Sequence, residues 1–135
     1  MKHRIFCWAL GLIIIMIASW VLAHEKTGWI APAEAKKMKN PVKATKASIQ
    51  KGGEIYEKKC ALCHGIKGDG KGTASAGLNP KPTNFKESHG EKMTDGEHFW
   101  KITTGRGGMP SFAKDLTEEE RWYVINYINT FSSHP

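Results

Sequence analysis

The sequence predicts a small all-α domain, and three observations carry that reading. Two segments open with a Thr-x-x-Glu pattern and continue with apolar residues at helical spacing. A third helical segment follows Ser48, and no run alternates apolar and polar residues as a half-buried strand would. With 135 residues there is room for one domain, whose core is small enough to gain from a bound group.

The first segment, MKHRIFCWALGLIIIMIASWVLA, begins with Lys2, His3 and Arg4, then runs apolar from Ile5 to Leu22 and ends in small residues. This is the plan of a secretory signal peptide cleaved after Ala23, so residues 1–23 are assigned to it. An apolar run of about 18 residues is also near the lower limit for an uncleaved membrane anchor. Under either reading the rest of the chain is exported. Residues 24–47 contain Pro32, Pro41 and six lysines without a sustained apolar stripe. They read as an extended basic linker with one short helical turn around Glu34–Lys39.

The domain is expected over 48–135. A first helix is expected with Ser48 as N-cap, running to Cys60. Gly52 and Gly53 lie inside it, which suits a close helix crossing, with Tyr56 one turn on. Residues 65–92 are rich in Gly, Lys, Pro and Asn and predict mostly loop. So long an irregular stretch is tolerable in a compact domain if it wraps a cofactor. Thr94 to Glu97 signals a second helix, closed by Gly105. Thr117 to Glu120 signals a third, whose Trp122, Tyr123, Ile125 and Tyr127 form a bulky face suited to the Gly52–Gly53 notch.

The formal charge is +7, and loss of residues 1–23 removes Lys2 and Arg4 and no acid, leaving +5. Such a charge can steer a small protein to an acidic docking patch or an anionic membrane face. The linker holds much of it, and there it reads as a solvated tether. Nucleic acid is not an expected partner for an exported chain.

Of three cysteines, Cys7 lies in the apolar run and carries no motif. Cys60-Ala61-Leu62-Cys63-His64 is the c-type haem attachment pattern. Its spacing sets two thiols on one face of a short turn, where they can add to two vinyl groups, and the next imidazole projects under the iron. A zinc ribbon needs a second cysteine pair, which the sequence lacks. A redox disulfide gains nothing from His64. One covalently bound haem c is therefore expected, wrapped by three to five helices. For the sixth ligand, His89, Met93, His98 and Met109 follow His64. Met109 is preferred: it sits in Gly107-Gly108-Met109-Pro110, where glycines allow close approach, and a thioether suits an electron carrier.

The segments GGEIYEKKCALCHGIKGDGKG, TDGEHFWKITTGRGGMPSF and LTEEERWYVINYI together resemble a bacterial class I c-type cytochrome, over about residues 48–131. The likeness is to single-haem domains related to the c subunits of cbb3-type oxidases. It implies a small helical shell in which the first and last helices cross, so that Gly52 and Tyr56 meet the helix of Trp122 and Tyr123. It implies that a proline carbonyl, from Pro80 or Pro82, accepts the His64 Nδ1 proton, and that Trp100 and Arg106 are near the haem propionates. The implied activity is outer-sphere electron transfer in a periplasmic respiratory chain with redox protein partners bearing acidic docking surfaces, and no catalysis. Rival readings are an electron-transfer subunit of a larger membrane oxidoreductase, and a peroxidase or gas sensor with an open coordination site.

Overall fold

Reciprocal side-chain caps open all three long helices of the computed structural model, which describes residues 28–87 and 93–132. The proposed leader, residues 1–23, lies outside them, and so does His89. Among the described residues the helices are α1 (Ala33–Lys37), α2 (Lys46–Lys59), α3 (Ala61–His64), α4 (Asp95–Thr104) and α5 (Glu118–Phe131). The fold is all-α. There is no strand among the described residues, only an isolated bridge between Arg106 and Met109. No described helix is long and apolar enough to cross a membrane.

At the start of α4, the Thr94 hydroxyl accepts from the Glu97 N–H and the Glu97 carboxylate accepts from the Thr94 N–H. Thr117 and Glu120 repeat the arrangement at α5. Both starts fall where the sequence signalled them, because each cap satisfies two otherwise orphaned N–H groups within four residues. The start of α2 differs from expectation. Thr45 is the N-cap and Ser48 its partner three residues on, at 2.9 and 3.2 Å, so the helix begins earlier than Ser48. Ser48 was the right kind of residue in the wrong role.

α2 crosses α5 at the glycine notch. A Cβ on Gly52 would collide with the Tyr123 carbonyl, and one on Gly53 would lie 3.1 Å from the Tyr127 ring. The two helices therefore meet backbone to backbone. Tyr56 is fully buried there, its ring 5.3 Å from those of both Tyr127 and Phe131. Trp122 departs from the expected face. It turns away from the notch and stacks on Phe99 of α4 at 4.0 Å, joining α4 to α5. Phe99, Ile102, Phe112, Leu116, Val124, Ile125 and Ile128 complete the core.

From residue 31 the basic stretch is not a loose arm, contrary to the linker reading. Ala31–Pro135 is one compact unit, and within it Ala35 of α1 is buried against Gly96, whose missing side chain admits the Ala35 carbonyl. Asn40 Nδ2 donates to Asn126 Oδ1 at 2.8 Å and to the Trp122 carbonyl at 3.3 Å. Asn126 Nδ2 donates in turn to the Val42 carbonyl and the Ser48 hydroxyl. Val42 packs on the core. A stretch with so few apolar residues is held by buried amide hydrogen bonds, which hydrophobic patterning does not register.

Candidate haem site

Cys60 ends α2 and caps the four-residue α3, which carries Cys63 and His64. The Cys60 carbonyl accepts from the Cys63 and His64 N–H groups at 3.1 and 2.9 Å, so the three side chains leave one tight turn. Gly65 closes it with φ 77°, a left-handed geometry that favours glycine. The irregular chain beyond is stitched back onto the same turn. Gly70, Gly72 and Ala74 donate to the carbonyls of His64, Cys63 and Leu62 at 2.8, 3.1 and 2.9 Å. These bonds explain how a glycine-rich loop sits in a compact unit.

Both cysteines are free, half-buried thiols. Burial, with Cys63 beside it, pushes the Cys60 thiol up to about 12. It is a protonated thiol at neutral pH, unlike the low-pKa thiolate of a redox disulfide centre. Burial lowers the His64 imidazole below its ordinary value, while its hydrogen bond to the Thr83 carbonyl works the other way. A neutral imidazole is the form that binds metal.

His64 Nδ1 lies 3.3 Å from the Thr83 carbonyl oxygen. Nδ1 is thus the protonated nitrogen, donating to Thr83 and leaving the Nε2 lone pair for a metal. This corrects the proline expectation: neither Pro80 nor Pro82 supplies the carbonyl, and the acceptor is the residue after Pro82. The Pro82 carbonyl is instead turned toward Gly70, whose lack of a Cβ makes room for it. Phe85 fixes this segment. Its N–H donates to the Gly68 carbonyl at 2.7 Å, and its ring stacks on His64 at 4.9 Å. Thr83 and Phe85 were missed in the sequence because a backbone acceptor leaves no residue-type signal; the Pro-Thr-Asn-Phe segment was the nearest clue. Tyr56 braces the other side, donating to the Gly65 carbonyl at 2.8 Å, with its hydroxyl pushed well above the usual tyrosine range chiefly by burial.

Met109 lies in a turn closed by two backbone bonds with Arg106, at 2.8 and 3.0 Å, and is half-buried against the core. Gly107, at φ 58°, makes the reversal. Phe112 N–H to the Ile102 carbonyl and Ser111 hydroxyl to the Thr103 carbonyl tie the turn to α4. Met93 is engaged elsewhere, its sulfur accepting from the Lys101 ammonium at 2.9 Å. His98 presents a ring edge to Phe85 at 6.0 Å. Arg106 is exposed and Trp100 half-buried.

The donor set fits a c-type haem: two thiols on one turn, a neutral imidazole with Nε2 unengaged by its tautomer, and a thioether in a rigid turn. It does not fit zinc, since no cluster of three metal-binding His, Cys, Asp or Glu side chains occurs among the described residues.

Residues 47–128 match the family model described as Cytochrome C oxidase, cbb3-type, subunit III. The chain belongs to that cytochrome c family. It is 34% identical over 102 residues to the quinohemoprotein alcohol dehydrogenase ADH IIB of Pseudomonas putida, covering 73% of this chain and 13% of that protein. A chain of the reducing HAO-like protein complex of Kuenenia stuttgartiensis superposes with a TM-score of 0.60 at 34% identity, covering 67% of this chain and 46% of that one. This cytochrome thus spans about an eighth of the first relative and under half of the second. Membership in a cytochrome c family implies haem c and electron transfer, and a carrier domain rather than a catalytic one.

Proposed function

We propose that this chain is an exported carrier of single electrons, in which Cys60 and Cys63 would hold one haem through thioethers and His64 and Met109 would ligate its iron. The observation that supports this best is the Cys60–Cys63–His64 turn, with His64 Nδ1 committed to Thr83. When bound, the haem supplies an iron that exchanges one electron between its ferrous and ferric forms. The protein's residues do the rest. Cys60 and Cys63 fix the group to the chain, Thr83 and Phe85 hold the imidazole plane, and Tyr56 anchors the turn after His64. The Arg106–Met109 turn presents a thioether with little freedom to reorient. Rigid ligands keep reorganisation small, the property that fast outer-sphere transfer needs.

The setting is proposed to be the periplasm and a respiratory chain, by way of the N-terminal leader, with acidic redox proteins as partners. A second reading, an electron-transfer subunit of a larger oxidoreductase, is favoured by the relatives, one matching over a small part of a dehydrogenase and the other drawn from a complex.

Expression in a host that matures c-type cytochromes tests the proposal. The parent is expected to retain haem staining after denaturing electrophoresis, with an intact mass equal to one haem plus the chain, either from residue 24 or with its leader retained. The double variant Cys60→Ala, Cys63→Ala is expected to lose covalent staining altogether. A parent without attached haem from such a host would overturn the reading. Co-purification with a large complex would favour the subunit alternative.

A further inference from the structure

Between Glu34 and Lys51 the sequence contains no acid, and the lysines that lie between them, Lys36, Lys37, Lys39, Lys43 and Lys46, are all exposed. As a solvated tether these charges would be mobile and separable. Instead their backbone is held. Ala35 is buried against Gly96, Asn40 is bonded to Asn126 and the Trp122 carbonyl, Val42 packs half-buried against the core, and Ser48 donates to the Lys43 carbonyl at 2.8 Å. Among the described residues Lys36 forms an ion pair, with Glu97 at 3.8 Å. The other four ammonium groups have no ion pair among the described residues. Met38 stands between Lys37 and Lys39 in the sequence, with 40% of its surface exposed.

We infer that this ordered lysine strip, Lys36–Lys46, is a binding surface for the anionic headgroups of a phospholipid membrane. Charge supplies the attraction, since each lysine brought to an anionic surface adds to binding and all of them sum when the backbone is already fixed. Ordering also removes the entropy a flexible arm would lose on binding. Met38 supplies the apolar contact that distinguishes a lipid surface from an acidic protein, since an interfacial segment mixes cations with side chains that enter the headgroup region. Position supplies the setting. The apolar run Ile5–Leu22 ends fourteen residues before Lys36, at most about 50 Å of extended chain, so a chain exported through that run begins within reach of the bilayer. The inference takes its setting from the proposed export and is independent of haem ligation.

The test is lysine labelling by a water-soluble acetylating reagent, read residue by residue by mass spectrometry. The haem-loaded full chain is labelled with vesicles of phosphatidylcholine alone, with vesicles containing roughly one-third phosphatidylglycerol, and with soluble polyglutamate. Reading each lysine separately makes the result insensitive to how the N-terminal run is processed, and the haem spectrum of the same sample keeps a failure here apart from a failure of the haem assignment. On anionic vesicles, labelling at Lys37, Lys39, Lys43 and Lys46 is expected to fall about threefold or more, with recovery near 0.5 M salt, while Lys58, Lys59, Lys67 and Lys71 stay unchanged. The variant Met38→Ser is expected to weaken this protection, and polyglutamate to give little. Unchanged labelling on anionic vesicles overturns the inference. So does protection that falls on Lys58–Lys71 instead, or stronger protection by polyglutamate, which would mark an acidic protein partner.

Discussion

The α2–α5 crossing and the segments that carry Cys60, His64 and Met109 are built by different rules. At the crossing, side chains interlock. Tyr56, Val124 and Ile125 are fully buried, and Gly52 lets two backbones touch. In the segments of Cys60, His64 and Met109 the chain folds on its own backbone, through glycine turns and the bonds from Gly70, Gly72 and Ala74 to the motif turn. Leu62, inside the motif, is 63% exposed, and Ile66 just after it 56%. The crossing is completed by polypeptide alone. The other region positions two thiols, an imidazole and a thioether, the side chains proposed to hold the haem. Stability and function are to that extent separately encoded, and the two should respond differently to substitution.

The largest expected effect is at the notch. Gly52→Val pushes a branched side chain into the Tyr123 carbonyl, a backbone atom that cannot swing aside. The expected loss is more than about 4 kcal/mol, enough to unfold a small domain, seen as collapse of helical circular dichroism. A variant melting close to the parent would show that the crossing tolerates separation. Met109→Ala probes the opposite pole. Helical content is expected to persist, while the weak long-wavelength ferric band of methionine ligation disappears and the potential falls by on the order of 0.1 V, within the roughly 0.8 V that axial ligands span. An unchanged spectrum would exclude Met109 as the ligand.

Tyr56→Phe joins the two regions, since the tyrosine is packed in the crossing but donates to Gly65 beside His64. Loss of that buried bond is expected to lower unfolding free energy by about 1–2 kcal/mol, measured by denaturant titration. A silent substitution would mean that the turn after His64 does not depend on the crossing. The smallest effect is electrostatic. Glu97 is held below the ordinary glutamate range, first by the Thr94 N–H, against a smaller opposing effect of burial. A depressed carboxyl contributes fully above its unfolded value and loses that contribution as pH falls through the folded one. The Glu97→Gln variant should therefore differ from the parent by a few tenths of a kcal/mol at neutral pH and by less below about pH 4. A gap that widens on acidification would contradict the cap assignment.

Local sequence was sufficient for features whose partners lie within about four residues. The caps at Thr94 and Thr117 are of this kind, as is the turn that gathers Cys60, Cys63 and His64, because such hydrogen bonds form between groups already neighbours along the chain. The α2–α5 crossing was also readable, since two glycines followed by a tyrosine announce a close approach. Only the folded chain decided the rest. Thr83, nineteen residues after His64, offers a backbone carbonyl that every residue possesses, so nothing in its identity marks it. Asn40 meets Asn126 across 86 residues, and this contact turns a lysine-rich tether into a fixed strip. Trp122 chose Phe99 over the glycine notch because a helix offers several faces, and which one a neighbour covers is set by packing. Side-chain type and near spacing are written in the chain, whereas the pairing of distant groups exists only once the backbone has closed.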